Sequence, residues 1–350
     1  MPDIVLIADD LTGALDSAVA FRLRGASAVV ACAPEAAQRA WQSGAEVVAV
    51  STNTRERSAA EADACLRGLL GRLAGFRGLL IKKIDSRLKG NIAAELAPLA
   101  GLRGGMFVCP AIPRLGRRVN RGAVTGVGLE TPIEIAPRLG ALTDAAQIPD
   151  ITTDAELDAC LAACDADTLF VGAAGLAEAL ARRIYRRAVQ PPSRIGAPCL
   201  VAIGSRDPAT ERQIADLQDM PLLAAPNGDV PGGLICAGTI LRMTPGPTAC
   251  PDADAAEHFA RGVARAVAEA RPASLLACGG ETARAILGHL GVDLLQLEGE
   301  CAPGVPTARA LDRAGDLQIV TKSGGFGEAD LLSRILPPKL RAVSRGAASP

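Results

Sequence analysis

Short apolar runs alternate with Ala- and Leu-rich helical patterns along most of this chain of 350 residues. Strand–helix alternation with this spacing predicts parallel sheets covered by helices on both faces. In the first half the predicted strands are Ile4–Ala8, Ala28–Ala31, Val47–Ser51, Leu79–Lys82 and Met106–Cys109, and the predicted helices are Gly13–Arg24, Ser58–Ala74 and Asn91–Leu99. Ligands of such sheets bind beyond the carboxyl ends of the strands, so we expect the functional residues in the loops that follow the strands.

A proline-rich segment, residues 191–198, separates a predicted helix at Ala173–Arg187 from a predicted strand at Cys199–Ile203. Further strands are predicted at Leu222–Ala224, Leu234–Ala237, Ser274–Cys278 and Leu317–Val320. We therefore expect an α/β chain with two lobes, each a mainly parallel sheet flanked by helices, and an active-site cleft between them. The expected domains are residues 1–190 and 199–340, joined by the 191–198 linker and followed by a frayed tail at 341–350.

The composition argues against several classes of partner. A net charge of -1 and an aromatic content of 2% offer neither a basic field nor stacking surfaces for nucleic acid. No apolar run reaches the roughly 18 residues of a membrane helix, and the N-terminus lacks a basic signal-peptide start. The ten cysteines are scattered and only two histidines accompany them, so we expect reduced thiols, no metal site and a cytoplasmic protein.

Two adjacent acids, Asp9 and Asp10, follow the first predicted strand. Capping of the next helix needs only one such side chain. The mutual repulsion of two carboxylates must be offset by a cation or by a hydrogen-bonding ligand. We therefore count both among the substrate-binding candidates, together with Arg55 in the loop after a neighbouring strand.

The segment from Lys82 to Asn91 places four cations and Asp85 directly after another strand. A solvated charged loop is one interpretation. The other is an anion site in which Lys83, Ser86 and Lys89 bind the substrate and Asp85 orients or deprotonates a hydroxyl, as phosphoryl acceptors require.

A rigid loop at residues 110–118 carries three arginines, among them Arg118. The planar guanidinium group binds carboxylates in a two-pronged manner, although a structural loop with exposed arginines would have the same sequence.

Three glycine-containing turns follow predicted strands in the second half of the chain. Two of them open helices, which places free helix amides opposite an anion. The cofactor-binding candidates in these turns are Ser205, Arg206, Gly279, Gly280, Glu281, Thr282, Lys322, Ser323, Gly324 and Gly325. P-loop, protein-kinase and dinucleotide-binding motifs are absent from the sequence. Acid chemistry in the first half and phosphate-binding turns in the second together indicate phosphoryl transfer.

In these motifs the chain resembles the four-carbon acid sugar kinase family, whose members phosphorylate acids such as threonate and erythronate. The matching blocks are IADDLTGALD (7–16), KKIDSRLKGN (82–91), PAIPRLGRR (110–118), GAAGLAEAL (172–180), GSRDPATERQI (204–214), GGETA (279–283), GECAPGVP (299–306) and TKSGGFG (321–327). The resemblance implies an N-terminal lobe that binds the sugar acid through Asp10, Asp85 and Arg118. It also implies a C-terminal lobe that binds ATP through Ser205, residues 279–282 and Gly325, and the glycine-rich block at 299–306 adds Gly304 to these candidates.

The chain departs from the family pattern on the acceptor side. Ile84 and Arg87 stand where the family usually has Thr, Lys89 replaces an Arg, and the stretch from Asn120 to Thr131 is shorter than in typical members. These departures bear on the choice of substrate more than on the reaction.

The sequence thus predicts a kinase that uses ATP and Mg²⁺ to phosphorylate a hydroxyl of a small sugar acid, and that forms a homodimer. One of Asp10 and Asp85 would accept the hydroxyl proton, with Asp85 the better candidate. Two alternatives stay open: an aldolase or dehydratase acting on a phosphorylated sugar acid, and a non-catalytic sugar-acid sensor.

Overall fold

The computed structural model describes residues 1–217, 220–232, 235–236, 238–312 and 316–337. The chain divides into two compact units, Met1–Gln190 and Pro191–Pro350. The tail at 341–350, predicted to fray, lies outside the described residues.

A seven-stranded parallel sheet forms the centre of the first unit, in the order β2-β3-β1-β4-β10-β5-β9. Its strands are β1 Ile4–Ala8, β2 Ala28–Ala31, β3 Val47–Ser51, β4 Leu79–Lys83, β5 Gly105–Cys109, β9 Ala146–Gln147 and β10 Thr168–Gly172. The helices are α1 Leu11–Arg22, α2 Ala37–Gln42, α3 Ala59–Leu73, α4 Ile92–Ala100, α5 Ala136–Leu139, α6 Asp154–Ala162 and α7 Ala174–Ile184. The helix α1 packs against α7, and α3 packs against α4.

The sheet is buried because its central strands are apolar throughout. Every residue of β1, β2 and β3 is buried, which is typical of parallel strands covered on both faces. These strands begin and end at the residues that the sequence predicts. The core is built mainly from Ala, Val, Leu and Ile, as the low aromatic content requires.

A small antiparallel sheet in the first unit was not predicted. It consists of β6 Arg117–Asn120, β7 Ala123–Gly126 and β8 Ile133–Glu134. The strands are short and partly exposed, so their sequence lacks the continuous apolar pattern of the central strands. This sheet determines where Arg117 and Arg118 lie.

The second unit contains a mainly parallel sheet in the order β12-β13-β11-β14-β17-β16-β15. Its strands are β11 Cys199–Ile203, β12 Leu222–Pro226, β13 Ile240–Thr244, β14 Ser274–Cys278, β15 Leu294–Ala302, β16 Val305–Ala310 and β17 Gln318–Lys322. The helices are α8 Pro208–Ala215, α9 Asp252–Ala270, α10 Gly280–His289 and α11 Leu331–Ile335. The strands β15, β16 and β17 pair antiparallel, which the sequence analysis did not anticipate.

One predicted strand of the second unit is wrong. Ile235 and Cys236 do not lie in a strand, and Leu234 and Ala237 lie outside the described residues. The strand of this region is β13, which begins at Ile240. Ile235 is nevertheless buried, so the apolar run indicated burial and not strand structure. The predicted α/β class with two helix-flanked, mainly parallel sheets is confirmed.

None of the ten cysteines, all of which lie among the described residues, forms a disulfide bond. Among the residues that the structure describes, no helix is long and apolar enough to span a membrane.

Candidate active-site residues

Three neighbouring strands of the first unit end side by side. Ala8 at the end of β1 is in register with Ser51 of β3 and with Lys83 of β4. The loops that follow begin at residues 9, 52 and 84, and backbone hydrogen bonds join the first two, since Thr54 and Arg55 donate to the carbonyl of Asp9. The predicted acid-binding residues of these loops therefore come together through strand register.

Arg55 binds both adjacent aspartates. Its guanidinium group donates hydrogen bonds from Nε and Nη2 to Asp9 at 2.8 Å, from Nη1 to Asp10 at 2.8 Å and from Nη2 to Asp10 at 2.9 Å. Arg55 thus supplies the cation that the two carboxylates require. The charge of each aspartate is stabilised within the protein, without a metal or a ligand.

Asp9 is almost fully buried, with 2% of its side chain exposed. Burial acts to raise the pKa of Asp9, but the hydrogen bonds from Arg55 and the charges of Lys82, Arg55 and Lys83 outweigh it, and the pKa lies below its usual value. The same pairing raises the pKa of Arg55 against the effect of its own burial. Asp9 therefore holds Arg55 in place, and the structure favours this role over direct contact with a substrate.

The carboxylate of Asp10 has little remaining capacity to accept a proton. Asp10 caps α1, with Oδ1 accepting from the backbone N–H of Gly13 at 2.9 Å and Oδ2 from Oγ1 of Thr12 at 2.6 Å. Arg55 donates to each of these oxygens as well. Because an ionised carboxylate offers about four acceptor positions, the two oxygens of Asp10 are saturated.

Asp85 has a carboxylate oxygen to spare. Its Oδ2 accepts from the backbone N–H groups of Arg87 at 2.9 Å and Lys89 at 3.4 Å, which closes the turn after β4. No hydrogen bond from the described part of the chain reaches Oδ1. Asp85 can therefore accept a proton from a bound hydroxyl, whereas Asp10 is committed to Arg55 and the helix cap.

The lysines of this segment differ in exposure. Lys83 is buried and its Nζ donates to the carbonyl of Ile84 at 3.1 Å. A Cβ at Gly13 would lie 3.0 Å from this Nζ and 2.5 Å from Oδ1 of Asp10. The side chains of Lys83 and Asp10 therefore lie on either side of Gly13 and close to each other. Lys89 is exposed at the end of the turn.

Arg117, and not the predicted Arg118, reaches the segment after β4. Nη1 of Arg117 donates to Oγ of Ser86 at 2.5 Å. Arg118 is exposed, because successive side chains of β6 point to opposite faces of the strand. The sequence indicated this loop, but the turn and the short strand that bring Arg117 rather than Arg118 to Ser86 were not visible in it.

A buried polar network supports these loops, and sequence reasoning missed it. Nζ of Lys82 lies 2.8 Å from Oε2 of Glu95, and both side chains are essentially unexposed. Thr54 donates to Oε1 of Glu95 and accepts a hydrogen bond of 2.6 Å from Thr52, whose Oγ1 also lies 3.0 Å from the carbonyl oxygen of Ala8. A glutamate within an otherwise apolar helix face of α4 was the available signal for this network.

In the second unit the predicted nucleotide-binding turns also lie at one sheet edge. Cys278 of β14 is in register with Ile203 of β11 and with Lys322 of β17. Gly279 follows with a φ of 110°, a conformation that glycine adopts freely and other residues rarely. The chain then enters α10 directly at Gly280.

These turns approach each other so closely that side chains are excluded. A Cβ at Gly324 would lie 2.1 Å from Oγ of Ser205, and one at Gly325 would lie 2.9 Å from Oδ2 of Asp207. A Cβ at Gly279 would lie 3.0 Å from Oγ1 of Thr282. The hydroxyl groups of Ser205 and Thr282 thus lie against the backbone of the glycine turns.

Lys322 differs from the sequence expectation. Its side chain is fully buried, and its Nζ donates to the carbonyls of Ser323 at 3.0 Å and Gly324 at 3.2 Å. Burial lowers the pKa of Lys322, while Cys278 and Asp207 act in the opposite sense. Lys322 therefore stabilises the turn through hydrogen bonds from its buried side, and we do not expect its ammonium group to bind a phosphate.

The remaining candidates of the second unit lie around this edge. Arg206 forms a salt bridge of 3.0 Å with Asp252, and Glu281 forms one of 3.0 Å with Arg284. Gly304, with a φ of 74°, packs against the ring of Phe326, which follows the 323–325 turn.

No group of three or more metal-ligating side chains occurs among the described residues. The carboxylate of Asp207 lies against Gly325: its Oδ1 caps α8 by accepting from the N–H of Ala209, and Oδ2 accepts no hydrogen bond from the described residues.

Models of two known protein domains match this chain, one in each of its two units. Residues 4–134 match the model of a sugar-binding N-terminal domain, and residues 245–332 match that of a nucleotide-binding C-terminal domain. A D-threonate kinase of Bordetella bronchiseptica is 32% identical, with 95% of this chain and 96% of that protein aligned. This chain belongs to the four-carbon acid sugar kinase family.

Other members of the family have a second named activity. A 3-oxo-tetronate kinase of Methylobacterium radiotolerans is 27% identical over 94% of this chain and 97% of its own length. The alignment with the D-threonate kinase of Bordetella spans 398 residues, more than this chain contains, so it carries gaps on the side of this chain.

The family fold is also seen in solved structures. A protein of Salmonella typhimurium LT2 described as a tRNA synthase gives a TM-score of 0.74 at 21% identity and covers 95% of this chain and 98% of its own. A Haemophilus influenzae protein gives a TM-score of 0.65 at 19% identity, with 98% and 99% covered. The prediction of a sugar-acid kinase is confirmed by family membership, and neither alternative is favoured.

Proposed function

We propose that this chain transfers the γ-phosphoryl group of ATP to a hydroxyl of a four-carbon sugar acid of the threonate type. The observation that carries the proposal is the arrangement after β1, β3 and β4, where Arg55 donates hydrogen bonds to Asp9 and Asp10, and where no described residue donates a hydrogen bond to Oδ1 of Asp85. Such a surface binds hydroxyl groups and can accept a proton from one of them.

Asp85 is the proposed proton acceptor. Phosphoryl transfer proceeds through a loose transition state and needs an aligned hydroxyl more than a strong base, and an ionised carboxylate with a free oxygen meets this need. Asp10 and Arg55 line the site beside Asp85, and their mutual hydrogen bonds hold both side chains in place. Lys83, Ser86, Lys89 and Arg118 stay as proposed substrate-binding residues, with Lys83 placed closest to Asp10.

The glycine turns of the second unit are the proposed phosphate site. Ser205, Gly279, Gly280, Thr282, Gly324 and Gly325 bring backbone amides and small side chains to one sheet edge. A bound Mg²⁺ would neutralise developing charge on the phosphates. Oδ2 of Asp207 is the carboxylate oxygen that could contact its water shell.

An ADP-release assay with D-threonate, erythronate and 3-oxo-tetronate tests the activity. We expect release that requires ATP, Mg²⁺ and one of these acids together. A folded protein that gains thermal stability with an acid and with Mg²⁺-ATP but releases no ADP would be a sensor, and turnover without ATP would indicate an aldolase or dehydratase.

Gly325→Val tests the phosphate site. The added side chain would meet Asp207 and occupy space that we assign to phosphate, so ATP affinity should fall at least tenfold while acid binding stays unchanged. Gly288→Val is the matched control, since nothing lies within 4 Å of a Cβ there. Unchanged ATP affinity in Gly325→Val would refute the placement.

The cytoplasmic location and the homodimer belong to the same proposal. Light scattering of the purified protein at several concentrations measures the assembly state, and a monomer throughout would contradict the homodimer.

A further inference from the structure

Two arginine side chains of the first unit meet above Gly128. Arg87 belongs to the turn after β4, and Arg117 is the first residue of β6. A Cβ at position 128 would lie 3.1 Å from Nη2 of Arg87 and 3.2 Å from Nη2 of Arg117. Glycine at 128, with a φ of 79°, leaves room for both guanidinium groups, which are close enough to share one anion.

The hydrogen bonds of Arg117 leave its charge without an acidic partner. Nη1 donates to Oγ of Ser86 at 2.5 Å and Nη2 to the carbonyl of Val127 at 2.9 Å. The Nε atom is buried and has no hydrogen-bond partner. Within the described ranges neither Arg87 nor Arg117 forms a salt bridge, although both are long, cationic and adjacent.

The electrostatics of the pair are unfavourable as they stand. The pKa of Arg117 is lowered, first by burial and then by the neighbouring charge of Arg87, while Asp85 acts in the opposite sense. Two like charges that are brought together, one of them partly desolvated, are stabilised by an anion between them. A pair of surface arginines without a ligand would instead be expected to separate into solvent.

We propose that Arg87, Arg117 and Ser86 form a clamp for the carboxylate of the acceptor. This inference rests on the proposed function and names the part of the site that recognises an acid. Asp85 lies on the same turn, next to Ser86. The clamp therefore binds the carboxylate end of the molecule and leaves a hydroxyl group further along it for Asp85.

The clamp explains how the protein distinguishes an acid from the corresponding polyol. A planar guanidinium group donates two parallel hydrogen bonds to a carboxylate, and charge-assisted bonds of this kind are stronger than those between neutral groups. A polyol of the same length offers no charge to the pair. Acid selectivity should therefore depend on Arg87 and Arg117 more than on the exposed Arg118.

Calorimetry of the full-length protein without nucleotide tests the clamp. D-Threonate is the probe, and threitol is its uncharged counterpart. Arg87→Gln should weaken threonate binding about tenfold or more, the order expected for losing a charge-assisted hydrogen bond, and should leave threitol binding unchanged. Arg117→Gln should do the same, and Arg138→Gln, which removes an exposed arginine elsewhere in the first unit, should change neither.

Arg87 is exposed in its turn, so Arg87→Gln should fold even if Arg117→Gln does not. Equal threonate affinity in the parent protein and Arg87→Gln would overturn the clamp, as would failure of the parent protein to bind threonate. Turnover separates the two proposals. If Arg87→Gln binds threonate more weakly but the parent protein releases no ADP, the clamp is supported and the proposed kinase activity is refuted. If the parent protein releases ADP and Arg87→Gln has an unchanged Michaelis constant for threonate, the kinase activity is supported and the clamp is refuted.

Discussion

Asp10 and Asp85 both follow strands of the first unit, but the structure uses their carboxylates differently. Four donors occupy the oxygens of Asp10, whereas one oxygen of Asp85 stays free. The sequence places both acids at strand ends and favours Asp85 as the proton acceptor, but it does not show which donors occupy Asp10. The distinction depends on Arg55, which is distant along the chain and reaches the aspartates only through strand register.

Asp85→Asn should lower the turnover number by roughly 10²-fold or more, the usual order for a general acid–base group, with little change in ATP affinity. Asp10→Asn should mainly raise the Michaelis constant for the acid, because an amide cannot accept all four donors and Arg55 would shift. Steady-state kinetics with both substrates varied measures this. If the two phenotypes are reversed, the proton acceptor is Asp10.

Arg55→Gln should destabilise the protein by about 3 kcal/mol at pH 7, the order for breaking a buried ion pair, because Asp9 stays buried without its partner. In the parent protein the lowered pKa of Asp9 stabilises the fold above pH 4, and this contribution disappears as the pH falls through the lowered value. In the Arg55→Gln variant, burial raises the pKa of Asp9. The loss of stability relative to the parent protein should therefore become smaller as the pH approaches 4.

Urea unfolding at pH 7 and pH 4.5 measures both effects. The matched control is Arg67→Gln, which removes an exposed salt bridge to Asp63 and should cost less than about 1 kcal/mol. A deficit of Arg55→Gln that is equal at both pH values would contradict the pairing.

At the scale of the elements, the central parallel strands were predictable and the antiparallel ones were not. The strands β1, β2, β3, β11 and β14 are continuous buried runs, and their bounds follow from the sequence. The short strands from Arg117 to Glu134 and the strand β15 are only partly buried and depend on turns and partners. Consequently the loop containing the arginines was identified, but the arginine that reaches Ser86 was not.

The Lys82–Glu95 pair connects β4 to α4, and Glu95→Gln should destabilise the first unit by about 3–5 kcal/mol because the ammonium group of Lys82 would stay buried without a counter-charge. The double variant Lys82→Met/Glu95→Gln removes that charge and should recover much of the loss. Thermal unfolding of the two variants and the parent measures this, and a double variant no more stable than Glu95→Gln would show that packing and not charge accounts for the effect.

At the scale of the whole molecule, the division at Gln190 separates the residues that we propose to bind the acid from the glycine turns that we propose to bind phosphate. Asp10, Arg55, Asp85 and the arginine pair all lie in the first unit, and all the glycine turns lie in the second. The length and the proline-rich segment were enough to predict two units. Which acid is bound depends on side-chain geometry that no short motif encodes.

A fragment ending at Gln190 should therefore bind a sugar acid without nucleotide. Circular dichroism first establishes that the fragment folds, and calorimetry with threonate and other four- to six-carbon sugar acids then measures binding. A folded fragment that binds none of these acids would count against an acid site contained in the first unit.

The bridge between Arg55 and the two aspartates also has a consequence for how the sheet folds. A shift of β3 by one residue against β1 would move Arg55 by about 3.3 Å and turn every side chain of β3 to the opposite face. Asp9 and Asp10 would then be left as neighbouring carboxylates without the hydrogen bonds of Arg55, and Asp9 is buried. The residues proposed to bind the acid thus also penalise mispaired sheets, and acid binding reports that the strands have found their correct register.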